Sequence, residues 1–300
     1  MIITNFCALY LEISYHKSAR NIMLYNQTLS IVLTVGLLYL SGEAAGVWRQ
    51  RCGKSQTGTR IVGGEEAVNG KWPWMVRLRL CTSESSCSRC GGSLISDQWI
   101  LTAAHCFTGD KITQISARLG DYDFDDEQWK ELIVPAMQPR IHEGYSTKTH
   151  LNDIALLKLY KPLDLTGLGI EPICLPPAKL KIPLGFECYA TGWGYTIGDR
   201  ASLSDKLQQV KLPIDNTDFC HKQFRDFDND TQLCVGTKTE GKDTCKGDSG
   251  GPLNCQLNNG AWVAEGIVSF GNDTCGNEPS VFTRVSSYIP WIEYNTGLKF

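Results

Sequence analysis

A serine surrounded by glycines is the first candidate for chemistry in this 300-residue sequence. Residues 243–253, DTCKGDSGGPL, place Ser249 among three glycines. Because glycine loses more backbone entropy on folding than other residues, such a cluster indicates a tight turn whose N–H groups face a ligand. A serine hydroxyl is a poor nucleophile unless a neighbouring base removes its proton. The chemistry therefore also requires a base, and an acid that orients the base.

His105 is the histidine with the surroundings expected of such a base. It ends the apolar run LTAAHC, where small neighbours would hold an imidazole rigid. The other histidines lie in the N-terminal leader or in polar sequence that favours a solvated surface role: His16, His142, His150 and His221. Asp153 opens the apolar segment NDIALLKL, so its carboxylate is expected to be drawn inward, where it must be paired or hydrogen-bonded. An ordinary surface-loop aspartate is the alternative for NDIALL taken alone.

Short strands are the elements that would have to position these residues. Apolar runs alternate with turns from Ile61 onward, at residues 74–80, 92–105, 153–159, 187–194 and 261–271. Many short strands with regular turns indicate an antiparallel sandwich or barrel. Residues 61–300 could hold two barrels, with a changeover near residues 161–169. Helical spacing near the C-terminus predicts one amphipathic helix, and it is carried by Val285, Tyr288, Ile289 and Ile292.

Composition narrows the functional class. The 29 basic and 32 acidic residues give a net charge near −3, which does not support nucleic-acid binding. Of the 13 cysteines, Cys7 stands apart in the leader and the others form an even set. One Cys-x-x-Cys spacing occurs without a matching second half, so disulfides are favoured over zinc. Disulfides place the protein in an oxidising compartment.

The leader supports secretion. Residues 29–40, LSIVLTVGLLYL, are followed by the small residues of SGEAAG. This pattern predicts that residues 1–45 hold a signal peptide, cleaved near Ala44 or Ala45, and Met23 would be a more ordinary start. The run is shorter than the roughly 20 apolar residues of a comfortable membrane span, although an uncleaved signal-anchor is the alternative. Residues 46–60 have no hydrophobic periodicity and are expected to be a linker or pro-segment.

The motifs together resemble the chymotrypsin-like (trypsin-like) secreted serine proteases. They share the order and spacing of that family: IVGG (61–64), LTAAHC (101–106), NDIALLKL (152–159), GWG (192–194), GDSGGPL (247–253) and VSFG (268–271). The resemblance implies an all-β fold of two packed six-stranded antiparallel barrels, at about residues 61–168 and 169–300, with a C-terminal helix. The pro-segment has one cysteine, so it cannot hold the clip module of many arthropod cascade proteases, which contains several disulfides. The resemblance is therefore to an arthropod-type zymogen without a clip module.

The resemblance also implies a role for each member of a catalytic triad. Ser249 attacks the peptide carbonyl, His105 takes the proton and later gives it to the leaving amine, and Asp153 orients the imidazole. The N–H groups of Gly247 and Ser249 form the oxyanion hole, and one such donor contributes about 3 kcal/mol to transition-state stabilisation. No metal or cofactor takes part in this chemistry.

Activation by cleavage after Arg60 is a further implication. The new α-amine of Ile61 would turn inward and pair with Asp248, which orders the loop that carries Ser249. An upstream protease of trypsin-like preference or autoactivation would make the cut. We expect a monomer that acts on proteins or peptides and is controlled by serpin-type or other protease inhibitors. The alternative function is that of a weakly active or non-catalytic homologue with a binding or regulatory role.

Substrate preference follows from the expected primary pocket. In trypsin-like members an aspartate at the position of Asp243 closes this pocket and binds Arg or Lys side chains, while Ser269 and Gly271 line the wall. The sequence departs from the family at Ser280, where glycine is usual. A hydroxymethyl group there would narrow the pocket, and could favour one basic residue over the other or lower activity.

The remaining cysteines, two sequons and an acidic loop complete the expectations. Family register implies the pairs Cys52–Cys174, Cys90–Cys106, Cys188–Cys255, Cys220–Cys234 and Cys245–Cys275. Cys81 and Cys87 remain, and their spacing permits a small local loop. Asn229 and Asn272 begin NDT sequons for glycosylation. Asp121 and Asp123 belong to an acidic run that is either a calcium site or a solvated surface.

Overall fold

The protein is built mainly from short β-strands. The computed structural model describes residues 52–55, 65–120, 122–123, 132–196, 199–215, 217–236, 244, 247–271 and 278–300, with the backbone alone for 196 and 199–202. In chain order the strands are β1 (Glu65–Glu66), β2 (Met75–Cys81), β3 (Cys87–Leu94), β4 (Trp99–Thr102), β5 (Gln114–Leu119), β6 (Leu132–Pro135), β7 (Arg140–Ile141), β8 (Ala155–Lys158), β9 (Glu187–Gly192), β10 (Tyr195–Thr196), β11 (Asp199–Leu203), β12 (Gln208–Pro213), β13 (Gln232–Val235), β14 (Pro252–Gln256), β15 (Trp262–Phe270) and β16 (Ser280–Arg284).

Two antiparallel sheets contain all of these strands except the hairpin β10–β11. The first has the order β6-β5-β2-β3-β4-β8-β7 and the second the order β1-β12-β9-β14-β15-β16-β13. The predicted all-β class with two antiparallel sheets is confirmed. Each sheet has seven strands rather than six, because the two-residue strands β7 and β1 each extend an edge. β1 precedes the first sheet in sequence but pairs with β12 of the second.

Alternating polarity explains how the strands face the core. In β2, with sequence MVRLRLC, Leu78 and Leu80 are buried and Arg79 between them is exposed. Successive side chains of a strand point to opposite faces, so Leu78 and Leu80 share the core face; on the other face Arg79 is exposed, while Arg77 and Cys81 beside it are covered. The first eight residues of β15, by contrast, are all buried. Residues 92–105, expected as one strand, are divided between β3, β4 and a 3₁₀ turn at Ala104–Phe107.

A buried hydrogen bond joins Trp74, the residue before β2 of the first sheet, to Asn254 of β14 in the second sheet. Trp74 Nε1 donates to Asn254 Oδ1 at 2.7 Å, and both residues are fully buried. The Asn254 amide donates in turn to the carbonyl oxygen of Tyr189 at 2.9 Å. A buried indole N–H needs an acceptor, so this contact satisfies a polar group while the ring fills the core.

Five disulfides join described residues. They are Cys52–Cys174, Cys81–Cys87, Cys90–Cys106, Cys188–Cys255 and Cys220–Cys234. These are pairs anticipated from the resemblance and from the remaining cysteines, while Cys245 and Cys275 lie outside the described residues. Cys81 and Cys87 face each other at the end of the β2–β3 ladder, so their disulfide closes a hairpin.

Two α-helices, α1 (Thr217–Gln223) and α2 (Ile289–Thr296), lie within the described part of the chain. The C-terminal helix begins later than its apolar spacing suggests, and Val285–Ser287 form a separate 3₁₀ turn. Proline lacks the N–H of a helix interior, so Pro290 fits only in the first turn of α2. Neither helix, nor any other in the described residues, has the length and apolarity to traverse a lipid bilayer.

Candidate active site

His105 is held at the end of β4 by its neighbours on both sides. It lies in the 3₁₀ turn Ala104–Phe107, and Cys106 in the same turn is bonded to Cys90 of β3. The backbone N–H of His105 donates to Asp153 Oδ1 at 2.8 Å, and Nδ1 lies 2.7 Å from Oδ2. Asp153 therefore binds both the backbone and the ring of His105, which fixes the orientation of the imidazole.

Asp153 has no exposed surface and is surrounded by donors. Ser269 Oγ donates to Oδ2 at 2.5 Å, and the backbone carbonyl of Asp153 accepts from Thr283 Oγ1 at 2.8 Å. Burial alone would raise the pKa of Asp153, but the hydrogen bonds and charge of His105 and the Ser269 hydroxyl outweigh it and hold the pKa below its ordinary value. An ionised carboxylate only accepts, so Nδ1 of His105 carries the proton and Nε2 is left as the basic nitrogen.

The loop with Ser249 is attached to both sheets through its backbone. The carbonyl oxygen of Ser249 accepts from Gly91 N–H at 2.7 Å, next to the Cys90–Cys106 disulfide. On the other side, Gly250 N–H donates to the carbonyl oxygen of Val268 at 2.9 Å, one residue before Ser269. Ser249 therefore lies between two strands. On one side is β3, whose Cys90 is bonded to the turn with His105, and on the other is β15, whose Ser269 binds Asp153.

Gly247 occupies a backbone conformation that favours glycine. Its φ is +104°, and a Cβ there would lie 2.6 Å from Leu203 Cδ2 and 2.9 Å from the Cα of Gly194. Such contacts are closer than real Cβ atoms make, so a side chain would displace the loop. The turn around Ser249 therefore has the glycine that its geometry requires, and the N–H groups on either side of Asp248 belong to it.

Asp248 turns away from Ser249 toward the GWG motif. Gly194 N–H donates to Asp248 Oδ1 at 2.8 Å. A Cβ at Gly194 would lie 2.5 Å from Oδ2 of the same carboxylate, so the glycine makes room for it. This contact gives the GWG motif a physical role, because the Gly194 N–H donates a hydrogen bond to the carboxylate next to the candidate nucleophile.

The arrangement matches that of a known protein family. Residues 61–292 match the family model described as Trypsin. This chain belongs to the trypsin family. A solved structure titled "Structure of GrC" covers 79% of the chain and is itself covered in full, at 32% sequence identity and a TM-score of 0.69.

Curated relatives of the trypsin family match the same part of the chain. They are "Ovochymase" of Halocynthia roretzi, 42% identical over 245 residues, "Serine proteinase stubble" of Drosophila melanogaster, 39% over 257 residues, and "Transmembrane protease serine 7" of Mus musculus, 41% over 241 residues. The alignments cover 79%, 81% and 78% of this chain but only 15%, 32% and 28% of the relatives. The chain thus spans at most about a third of the length of these relatives.

The candidate pocket wall is partly described. Ser269 and Ser280 are both buried, and a Cβ at Gly271 would lie 2.5 Å from Ser280 Oγ. The Ser280 hydroxyl therefore lies against Gly271. Asp243 falls outside the described residues, although Thr244 beside it is buried.

Several other predicted positions also lie outside the described residues. They are Arg60, Ile61, Asp121 and Asn272. Asn229 is exposed, and its side-chain oxygen accepts from Arg284 at 3.3 Å. Asp123 forms an isolated backbone bridge with Lys206.

Cys90, His105 and Cys106 form one group with metal-ligating atoms close together among the described residues. The two cysteines are joined as a disulfide, so they offer no thiolate to a metal ion. This group therefore gives no support for a metal centre at the candidate active site.

His150 and Ser269 have roles that the sequence did not reveal. His150 is half-buried, with its ring centroid 6.4 Å from that of His105 and 5.1 Å from that of Phe270, so the predicted solvated role is wrong. Burial lowers the pKa of His150, and nearby His105 acts in the same direction while Asp153 opposes them. Ser269, expected only in the pocket wall, also binds Asp153. Neither contact has a local sequence signal, because both depend on pairing between distant segments.

Proposed function

We propose that this trypsin-family chain is a serine endopeptidase in which Ser249 attacks the carbonyl carbon of a peptide bond. His105 Nε2 takes the hydroxyl proton as the C–O bond forms and then donates it to the leaving amine as the C–N bond breaks. Water attacks the resulting ester by the same route in reverse. The observation that carries the proposal is the buried Asp153, which binds both the backbone N–H and the ring of His105.

The oxyanion of the tetrahedral intermediate would be stabilised by backbone N–H groups of Gly247 and Ser249. The positive φ of Gly247 supports this role, because it turns the peptide groups of the loop into a conformation that is unfavourable for residues with a side chain. Asp153 stays ionised and stabilises the imidazolium that forms during the reaction. Positioning and charge stabilisation together replace the need for a strong external base.

Cleavage after Arg or Lys is the specificity we propose. Asp243 would provide the carboxylate at the base of the pocket, and Ser269 and Gly271 its wall. The Ser280 hydroxyl against Gly271 supports a pocket that is narrower than one with glycine at both positions. A narrower pocket should discriminate between the planar guanidinium of Arg and the slimmer Lys chain.

Activation would follow cleavage after Arg60. The freed α-amine of Ile61 would pair with Asp248, whose carboxylate is oriented by Gly194 N–H. Asp248 is partly buried, so a new ion pair with the Ile61 amine should order the Ser249 loop, and the uncut chain should be nearly inactive.

Secretion, glycosylation at Asn229 and Asn272, and control by an upstream protease and protease inhibitors complete the proposal. Five disulfides in the described residues support an oxidising compartment. N-terminal sequencing of the product in the medium tests secretion, with a start near Ala45 or Gly46 expected. A product retained in the membrane fraction with its leader would instead indicate the anchored alternative.

A non-catalytic binding homologue is the competing function. The intact His105–Asp153 pair argues against it, because a protein released from catalysis has no need to bury a carboxylate beside a histidine. The decisive test is to cut the purified chain after Arg60 and measure hydrolysis of peptides that differ only before the scissile bond. Ser249→Ala should remove turnover without changing the melting temperature, and Asp243→Ser should remove the preference for basic residues. Turnover retained by Ser249→Ala would refute the proposal.

A further inference from the structure

A cavity of about 780 Å³ opens at one end of the second sheet. Its wall is formed where β9 and β15 begin and where β14 ends, together with residues 52–55. The Cys52–Cys174 disulfide ties that segment to the rest of the chain. Cavities that bind small molecules have volumes of about 300–1,000 Å³, so this one has room for a small organic ligand. We call it the Lys71 cavity after the cation in its wall.

The Lys71 cavity is separate from the candidate active site. Trp262 at the start of β15 lines the cavity, whereas Ser269, which binds Asp153, lies further along the same strand. A strand advances about 3.3 Å per residue, so these two positions of β15 are about 20 Å apart. The wall of the cavity includes neither His105 nor Ser249. Any ligand of this cavity would therefore bind away from the catalytic centre.

Lys71 is a buried cation in the wall of the cavity. Only 4% of its surface is exposed. Its ammonium lies 4.7 Å from the ring centroid of Tyr189 and 5.0 Å from that of Trp72. Aromatic faces attract a cation, but they do not replace the acceptors that its three N–H donors need. Among the described residues, none accepts a hydrogen bond from Lys71 Nζ.

This environment makes an anion favourable beside Lys71. Burial lowers the pKa of Lys71, and the charge of Glu65, which forms no direct ion pair with it, opposes this only in part. A buried charge destabilises a protein unless it is paired and hydrogen-bonded. A carboxylate in the cavity would supply both an acceptor and the opposite charge.

The other charged groups of the wall favour a ligand with one negative charge. Lys211 is already paired with Glu187, and the Glu187 carboxylate would repel a second negative group. Lys54 also lines the cavity, but its side chain is exposed, so water competes for its charge. One deep cation is thus left for one carboxylate, which does not suit a polysulfated or polyphosphate ligand.

Tyr189 and Trp262 provide an aromatic part of the same wall. Both rings line the cavity, with their centroids 5.8 Å apart and their planes at 71°. Aromatic side chains bury large apolar areas and bind other rings edge-to-face or offset. A ligand that carries a ring next to its carboxylate would therefore contact these side chains while its charge binds Lys71.

We propose that the Lys71 cavity binds a monocarboxylate with an aromatic body. The carboxylate would accept from the Lys71 ammonium, and the body would pack against Tyr189 and Trp262. A free organic acid and the C-terminal residue of a peptide both offer this chemistry. The proposal does not depend on peptide cleavage, because the cavity is separate from Ser249.

A ligand-detected NMR titration of the full chain with 3-phenylpropionate tests this proposal. The Ser249→Ala background prevents self-digestion and leaves the cavity intact. A ligand of this size should bind with a Kd of about 0.1–5 mM. The uncharged isostere 3-phenylpropanamide should bind at least about 10-fold more weakly, because hydrogen bonds to charged groups are the stronger ones. Equal affinity for the acid and the amide would overturn the proposal, and this comparison needs no substitution in the cavity.

Two lysine variants locate the site. Lys71→Met keeps an unbranched side chain between the aromatic rings and removes the charge, so the acid should bind no more tightly than the amide. Its melting temperature should be unchanged or higher, because a buried unpaired charge has been removed. Lys222→Met, at an exposed lysine of α1, is the matched control and should leave both affinities unchanged. An affinity for the acid that Lys71→Met does not lower would refute the assignment.

Two short peptides distinguish the sources of the carboxylate. They are N-acetyl-Gly-Phe with a free C-terminal carboxylate and the same peptide with a C-terminal amide. Binding of the peptide acid but not of its amide would identify chain ends as ligands of the cavity. Binding of 3-phenylpropionate alone would restrict the cavity to free organic acids. Either result supports the carboxylate site, whereas equal binding of all four compounds contradicts it.

Discussion

Replacing Glu265 with glutamine should remove a loss of folding stability that the protein suffers as pH rises above neutrality. Glu265 lies within β15 with no exposed surface. Ser286 Oγ donates to its Oε1 at 2.9 Å, while Oε2 has no hydrogen-bond partner among the described residues. Burial raises the pKa of Glu265 from 4.5 to about 8, and the Ser286 hydrogen bond and the charge of Arg284 oppose this only in part. The folded protein therefore keeps Glu265 protonated at neutral pH.

The sign of the pH effect follows from proton binding in the two states. An unfolded chain releases the Glu265 proton near pH 4.5, whereas the folded protein holds it until about pH 8. Between these values the folded state binds more protons, so the free energy of unfolding decreases as pH rises. At about 1.4 kcal/mol per pH unit the full loss would be about 5 kcal/mol, and relaxation around the charge reduces it to about 2–5 kcal/mol.

Urea unfolding at about pH 5 and pH 8.5 measures this difference through tryptophan fluorescence. The Ser249→Ala background prevents self-digestion. Glutamine resembles the protonated acid and can still accept from Ser286, so Glu265→Gln should match the parent within about 1 kcal/mol at the lower pH. At the higher pH it should be about 2–5 kcal/mol more stable than the parent. Glu84→Gln, at an exposed hairpin residue, is the matched control and should show no such gain. Equal pH dependence in Glu265→Gln and its parent would refute the assignment of a buried, protonated acid.

Three further substitutions test the site. Asp153→Asn should lower kcat about 10³- to 10⁴-fold, because an amide no longer fixes the tautomer of His105 or stabilises its protonated ring. Single-turnover kinetics would check this, and a loss below 10-fold would contradict the role. Gly194→Ala should leave the uncut chain folded yet prevent the gain of activity after cleavage at Arg60, because the new methyl group would displace the Asp248 carboxylate. Normal labelling of the cut variant by an active-site phosphonate would contradict this prediction. Ser280→Gly should widen the pocket and change the Arg/Lys ratio of kcat/KM by roughly 3- to 10-fold, a prediction that an unaltered ratio would exclude.

The amino-acid sequence by itself was sufficient for the family and the fold class, and it predicted the members of the candidate triad. Ser249, His105 and Asp153 each lie in a short motif whose residue types follow from local requirements, such as glycines for a tight turn and small residues beside an imidazole. The order and spacing of those motifs then indicate one known fold. The apolar run at residues 74–80 likewise predicted a strand, and the structure has β2 at Met75–Cys81.

Contacts between distant segments were decided only by the tertiary structure. Ser269 binds a carboxylate 116 residues away in sequence, and Arg79 meets Arg89 because of the register of β2 with β3. His150 lies beside His105 although its own sequence context is polar. Register and loop packing are set by how whole faces are buried, so a change of one residue in pairing would move every side chain of a strand to the other face. The residues that orient the candidate triad therefore follow from the assembled sheets and not from any local motif.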